Sequence, residues 1–212
     1  MIKNLLTSIT FLFSITTHAH EFNWDNLMLA HSQLNPAFDY EVAVDTYMKL
    51  YRFPVWQKYK NDEFELEEKR QQTIELMQQR IESFDLNEEF TLRTSVEFEQ
   101  YDFKKEEFPL TQLSGNSYFY NSNNRVDSYA FARVHKVYFK NTDIFGNLEM
   151  QKEDAKNFVQ SKKTSSGRIK RALPMEIKFV IVERNGNDDL NAVITEINVF
   201  DADNTTLLTT FR

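Results

Sequence analysis

The chain has 212 residues, a formal net charge of -7, four glycines and no cysteine. The cysteine count excludes disulfides, thiol nucleophiles and thiolate-held zinc or iron–sulfur centres, and the acidic balance argues against nucleic acid as a general partner. The glycines, Gly115, Gly146, Gly167 and Gly186, are too scattered for a dinucleotide fingerprint, a phosphate loop or a nucleophile elbow, each of which needs paired glycines.

Met1-Ile2-Lys3 is followed by an apolar run from Leu5 to Ile15 and then by Thr17-His18-Ala19. One early positive charge, a short apolar centre and a small exit residue predict a signal peptide over residues 1–19, cleaved after Ala19 to leave His20 first. The run is too short to anchor the chain in a bilayer. The expected location is therefore the periplasm or the exterior of the cell. An exported chain without disulfides relies on its core. The 19 Phe, 9 Tyr and 2 Trp suit that role, since a fully buried large apolar side chain contributes roughly 1.5–3 kcal/mol.

Residues 20–39 carry Trp24, Leu27, Met28 and Leu34, a short amphipathic helix that should end before Pro36. Tyr40, Val44, Tyr47, Met48 and Tyr51 recur at spacings of three and four and predict a second helix. Pro54 suits the first turn of another, running to Phe84 or restarting near Asn61, which would cap it. Its apolar face (Trp56, Leu66, Ile74, Met77, Ile81) opposes a glutamate-rich one, so it should pack on the sheet with its outer side in water.

From Glu89 the period switches to two. Phe90, Leu92, Val96 and Phe98 mark a half-buried antiparallel strand. Tyr101–Leu110 is a charged loop punctuated by aromatics. Strands are predicted at Ser117–Asn121 and Tyr129–Asn141, and a helix at Lys152–Ser161, followed by a basic loop, Lys162–Arg171. Three strands then close the chain, Met175–Glu183, Asn191–Asp201 and Thr205–Phe211, joined by Asn/Gly/Asp turns. The first two are apolar on both faces, as strands covered on both sides usually are, so the earlier chain must supply at least one covering layer. Helices first and strands afterwards indicate an α+β class. One domain over 20–212 is expected, with a helical part (20–86) lying on a mainly antiparallel sheet (87–212) that ends in a three-stranded meander.

The segment Tyr101-Asp102-Phe103…Phe108-Pro109-Leu110, the later helix at Lys152 and the basic run into paired strands resemble a family of secreted bacterial proteins of unknown function. The resemblance covers most of the chain after residue 19. It implies export from a Gram-negative cell and brings no activity or catalytic residue.

Three histidines, His20, His31 and His135, follow the signal segment. They form no paired-His zinc motif, and a serine triad would have to draw its base from them. His135 reads as a surface or half-buried strand residue. His31 reads as a residue at a helix C-terminus, where its positive form suits the dipole. His20, if first in the mature chain, offers an amine and an imidazole to copper(II). That would resemble copper-dependent polysaccharide oxygenases and envelope copper chaperones, whose β-sandwich plan differs from this helix-rich start. The acidic turns, Asp188-Asp189 and Asp201 with Asp203, fall at opposite ends of a meander and cannot converge on calcium.

Two stretches suit contact with a partner. Tyr101, Phe103 and Phe108 offer aromatic anchors, with core burial of the same residues as the alternative. Lys162, Lys163 and Arg168 offer donors to a phosphate, a lipid headgroup or an acidic partner, with a solvated connection as the alternative. The expected function is that of an exported, non-catalytic binding or accessory protein of the bacterial envelope. It would contact a protein, glycan or lipid surface and need no cofactor. The alternatives are a hydrolase of cell-wall or polysaccharide material using paired carboxylates, and a copper-binding protein acting through His20.

Overall fold

The computed structural model describes residues 19–111, 113, 117–126, 130–202 and 204–212. The signal segment expected over 1–19 lies outside them except for Ala19, as do Gly115, Tyr129 and Asp203.

Three of the first four helices start where a side chain takes up an unpaired amide. Asn23 caps α1 (Trp24–Gln33) by accepting from the Asn26 amide at 2.9 Å. Asp39 caps α2 (Tyr40–Tyr51) through the Val42 amide at 3.1 Å. A proline in its first turn starts α3 (Phe53–Tyr59). Asp62, not Asn61, caps α4 (Glu63–Glu82), accepting from the Glu65 amide at 3.2 Å. The stretch 54–84 is therefore two helices. Asp62 has the extended backbone that a cap requires.

The strands are β1 (His20–Glu21), β2 (Phe90–Glu97), β3 (Glu107–Phe108), β4 (Tyr118–Ser122), β5 (Val134–Phe139), β6 (Leu148–Glu149), β7 (Ala172–Asn185), β8 (Asp189–Phe200) and β9 (Leu207–Phe211), with α5 (Lys152–Ser161) between β6 and β7. The main sheet runs β1-β2-β7-β8-β5-β4, and β9 also pairs with β8. Because β7 occupies one edge of β8, β5 and β9 share the other, at residues 190–192 and 197–200. Among the described residues only the β1–β2 and β5–β8 pairings are parallel. The α+β architecture and the terminal β7-β8-β9 meander are as the sequence predicts.

The helices supply the covering layer that the sequence predicts for β7 and β8, and a β-bulge gathers the apolar residues of β8 onto the covered face. Lys178 pairs with Glu196 and Phe179 with Ile194, so Thr195 is an extra residue. An extra residue flips the side-chain phase of everything beyond it. Ile194, Ile197 and Val199 thereby share one buried face with Ile177, Phe179 and Ile181. A second shift, at Val182, leaves that valine 43% exposed. The outer face is charged: Glu196 takes Lys178 at 2.8 Å and Arg212 at 2.6 Å, and Arg93 meets Glu176 at 3.2 Å. Hydrogen bonds from Lys178, Asn198 and Arg212 hold the Glu196 carboxyl down at about 2.

The core lies between the helices and the inner face. Phe90 and Phe179, both fully buried, stack at 5.4 Å, and Phe139 meets Phe179 edge-on at 5.2 Å. At the far end Phe158 of α5 packs on Phe98 and Phe108 at 5.2 and 5.5 Å. Gly146 fits here because it lacks a Cβ, which would fall 2.7 Å from the Phe211 ring. Gly146→Ala is expected to lower stability by about 1–3 kcal/mol through overpacking, with part of the loss recovered when Phe211→Leu is added. Paired thermal unfolding scans check this.

Candidate functional site

Three elements meet at one end of the sheet. In α1, Met28, His31 and Ser32 lie on one face because residues three and four apart are neighbours on a helix. In β5, His135 alternates in phase with the buried Val137 and Phe139. Arg184 and the Gly186–Asp188 turn follow the second bulge, and Gly186 supplies the left-handed backbone of that turn (φ +70°). Together they enclose a cavity of about 180 Å³. His31, Ser32, Asn35, His135 and Arg184 form its polar lining, and Met28, Phe38, Ala130 and Phe131 its apolar lining.

The hydrogen bonds fix the state of both histidines. The two rings lie 5.1 Å apart. His135 Nδ1 is 2.7 Å from the Asp188 carbonyl oxygen, which only accepts, so Nδ1 carries the proton. The neutral ring therefore presents a bare Nε2. That atom is buried and has no hydrogen-bond partner among the described residues. Arg184 Nε donates to His31 Nε2 at 3.2 Å, and its Nη1 donates to Asn35 Oδ1 at 2.7 Å. The main chain of Asn187 bonds His31 as well.

Burial first, then His135 and Arg184, hold His31 down at about 4. Burial also lowers His135, opposed by the Asp188 carbonyl and by the charges of Asp188 and Asp189. Both rings are accordingly neutral near pH 7. The predicted roles of both residues need correction. His31 does lie in the last turn of α1, but it is only 9% exposed and uncharged, and His135 is 1% exposed rather than half-buried. Arg184 supplies the positive charge of the cavity and forms no ion pair among the described residues. Ser32 Oγ donates to Met28 Sδ at 3.7 Å, not to an imidazole.

The residues singled out in the sequence are dispersed. Phe103 is 72% exposed, and with Tyr101 and α5 it borders a shallow apolar groove. The Tyr101 hydroxyl donates to the Met150 carbonyl at 2.7 Å. Phe108 is not a surface anchor: it is 1% exposed, within the Phe98–Phe158 cluster. Lys162 is not a free surface donor either, being 6% exposed, paired with Asp201 and lying over the Phe158 ring. Lys163 and Arg168 are exposed, on a loop closed by Thr164–Arg168 and Lys170–Lys162 main-chain bonds.

The His20 amide donates to the Glu89 carbonyl at 2.7 Å, and its ring stacks on Phe84 at 4.2 Å. Its Nε2 faces the Asp85 carbonyl at 2.9 Å and Glu88 at 3.4 Å. No metal-holding group of three or more His, Asp or Glu side chains occurs among the described residues. His31 and His135 face each other in the cavity rather than completing a site at His20.

Residues 39–161, more than half of the chain, match the family described as Domain of unknown function (DUF4852), and the chain belongs to that family. The matched span contains His135; His31 and Arg184 lie outside it. No curated protein and no solved structure matches the chain.

Proposed function

We propose that the protein is an exported, non-catalytic binding protein of the bacterial envelope, and that the cavity between α1, β5 and the β7–β8 turn holds its ligand. The observation that carries this reading is the buried Nε2 of His135, without a hydrogen-bond partner among the described residues, in a cavity also lined by Arg184, which forms no ion pair among them. Buried polar atoms are nearly always bonded, and one left over in a cavity is an opening for a guest. A polar end, an apolar wall and partial enclosure are the usual features of a small-molecule site. Two features favour binding over catalysis. The Ser32 hydroxyl turns toward sulfur, and His31, held down at about 4, lacks the proton affinity of a base poised near neutral pH. Export rests on the Lys3, Leu5–Ile15 and Ala19 pattern of the sequence.

Native mass spectrometry of protein purified from the envelope fraction of the producing cell tests this. The expected result is a chain beginning at His20 that retains a small molecule or recaptures one from a dialysed cell extract, and Arg184→Gln lacking it. A chain that keeps residues 1–19, or wild-type and variant proteins that both stay empty in the extract, would overturn the reading.

A further inference from the structure

We propose that the cavity takes a small organic acid with a single carboxyl group, one oxygen held by Arg184 and the other sharing a proton with His135 Nε2. This rests on the cavity being the ligand site, and it names the ligand class.

Charge comes first. Arg184 keeps spare N–H donors after serving His31, Asn35 and the Gly186 carbonyl. A guanidinium without a carboxylate partner is a ready fork for one. It brings one positive charge, which an ionised carboxyl oxygen can meet directly through a charge-assisted hydrogen bond.

The proton comes second. With Nδ1 donating to the Asp188 carbonyl, His135 Nε2 needs a donor. A bare anion has none to give. A carboxylic acid has a donor for Nε2 and an acceptor for Arg184, both of which line the cavity.

Shape comes third. Met28, Phe38, Ala130 and Phe131 suit a short apolar tail, and about 180 Å³ holds a molecule of a few heavy atoms but not a nucleotide or an oligosaccharide.

The proton balance follows. Near neutral pH the free acid is ionised and both imidazoles are neutral, so each ligand bound brings one proton from solvent to the O···H···N pair. The groups facing His135 are His31, Asp188 and Asp189; those facing His31 are His135 and Arg184. The acidic pair favours the added proton and Arg184 opposes it. Uptake of one proton makes association weaken about tenfold for each pH unit above the ligand's own ionisation.

Titration calorimetry with sodium propionate and sodium butyrate, at about pH 5.5 and 7.5 and in two buffers of different ionisation heat, tests this. Inorganic phosphate is the comparison. Propionate is expected to bind with uptake of about one proton and about a hundredfold more tightly at the lower pH. Arg184→Gln should abolish binding, and His135→Asn, which keeps a group near the Asp188 carbonyl, should abolish the proton uptake. Where His135→Asn does not fold, the two-buffer heats of the wild-type protein decide alone. Phosphate binding without carboxylate binding, carboxylate binding without proton uptake, or no binding of either would overturn the proposal. If the envelope-purified protein nevertheless retains a molecule, only the ligand class fails; if it is empty as well, the cavity reading fails with it.

Discussion

Phe179→Ala is expected to lower the stability of the fold by about 3–5 kcal/mol. In a chain of this size that corresponds to a fall of roughly 10 °C in Tm. Phe179 is fully buried, stacks on Phe90 and meets Phe22 and Phe139 edge-on. It thus ties the strand entering the sheet, the long hairpin and β5 into one packed unit. Removing its ring leaves a cavity that three rigid neighbours can fill only in part. The informative control is Val182→Thr, three residues further along the same strand. Val182 sits at the bulge and faces water, so its replacement should stay within about 0.5 kcal/mol. Comparable losses for the two variants in denaturant unfolding would mean that the outer face is covered after all.

Acidification should cost the protein stability through His31 and His135. Both have folded proton affinities below the ordinary histidine value, so the unfolded chain binds protons that the folded chain refuses. Stability from this source is complete above about pH 6.5. It is lost progressively as pH falls to about 4, where His31 itself titrates in the fold. For His31 the full loss is roughly 3 kcal/mol, of which roughly 2 kcal/mol is gone by pH 5. His31→Gln keeps an acceptor for Arg184 and removes the titration. Subtracting its pH profile of unfolding free energy from that of the wild type should isolate this loss from the carboxylates that titrate in the same range. Parallel profiles would show that His31 is not buried as a neutral ring. Propionate added at pH 5 should restore part of the lost stability, since a ligand that binds only the folded state and brings its own proton opposes the same transition.

Much of the architecture was readable because local signals agreed. The period-two run from Phe90, the Asn/Gly/Asp turns and the proline-marked helix starts each specify an element without reference to the rest of the chain. The facing of β8 was less legible, because a bulge has no sequence marker at Thr195: the residues look opposed until one is taken out of the count. The cap at Asp62 was missed by one residue because Asn61 and Asp62 are both good caps, and only the backbone conformation selects between them.

The cavity was half visible. Burial of His135 follows from its phase with Val137 and Phe139, a clue outweighed by the charged residues flanking that strand. The same phase argument places Phe108 with Phe98 and Leu148 in the small core under α5. The link between His31 and Arg184 spans 153 residues and arises only when the β7–β8 turn folds back beside α1. No local pattern encodes a contact of that range.

The protonation state of His135 is the most direct test of this account. Long-range proton–nitrogen correlation spectra of the ligand-free protein at pH 7 should show a neutral ring protonated at Nδ1, with an unprotonated Nε2 that shifts when propionate is added. A proton on Nε2 at that pH, or an Nε2 signal indifferent to every added acid, would contradict it.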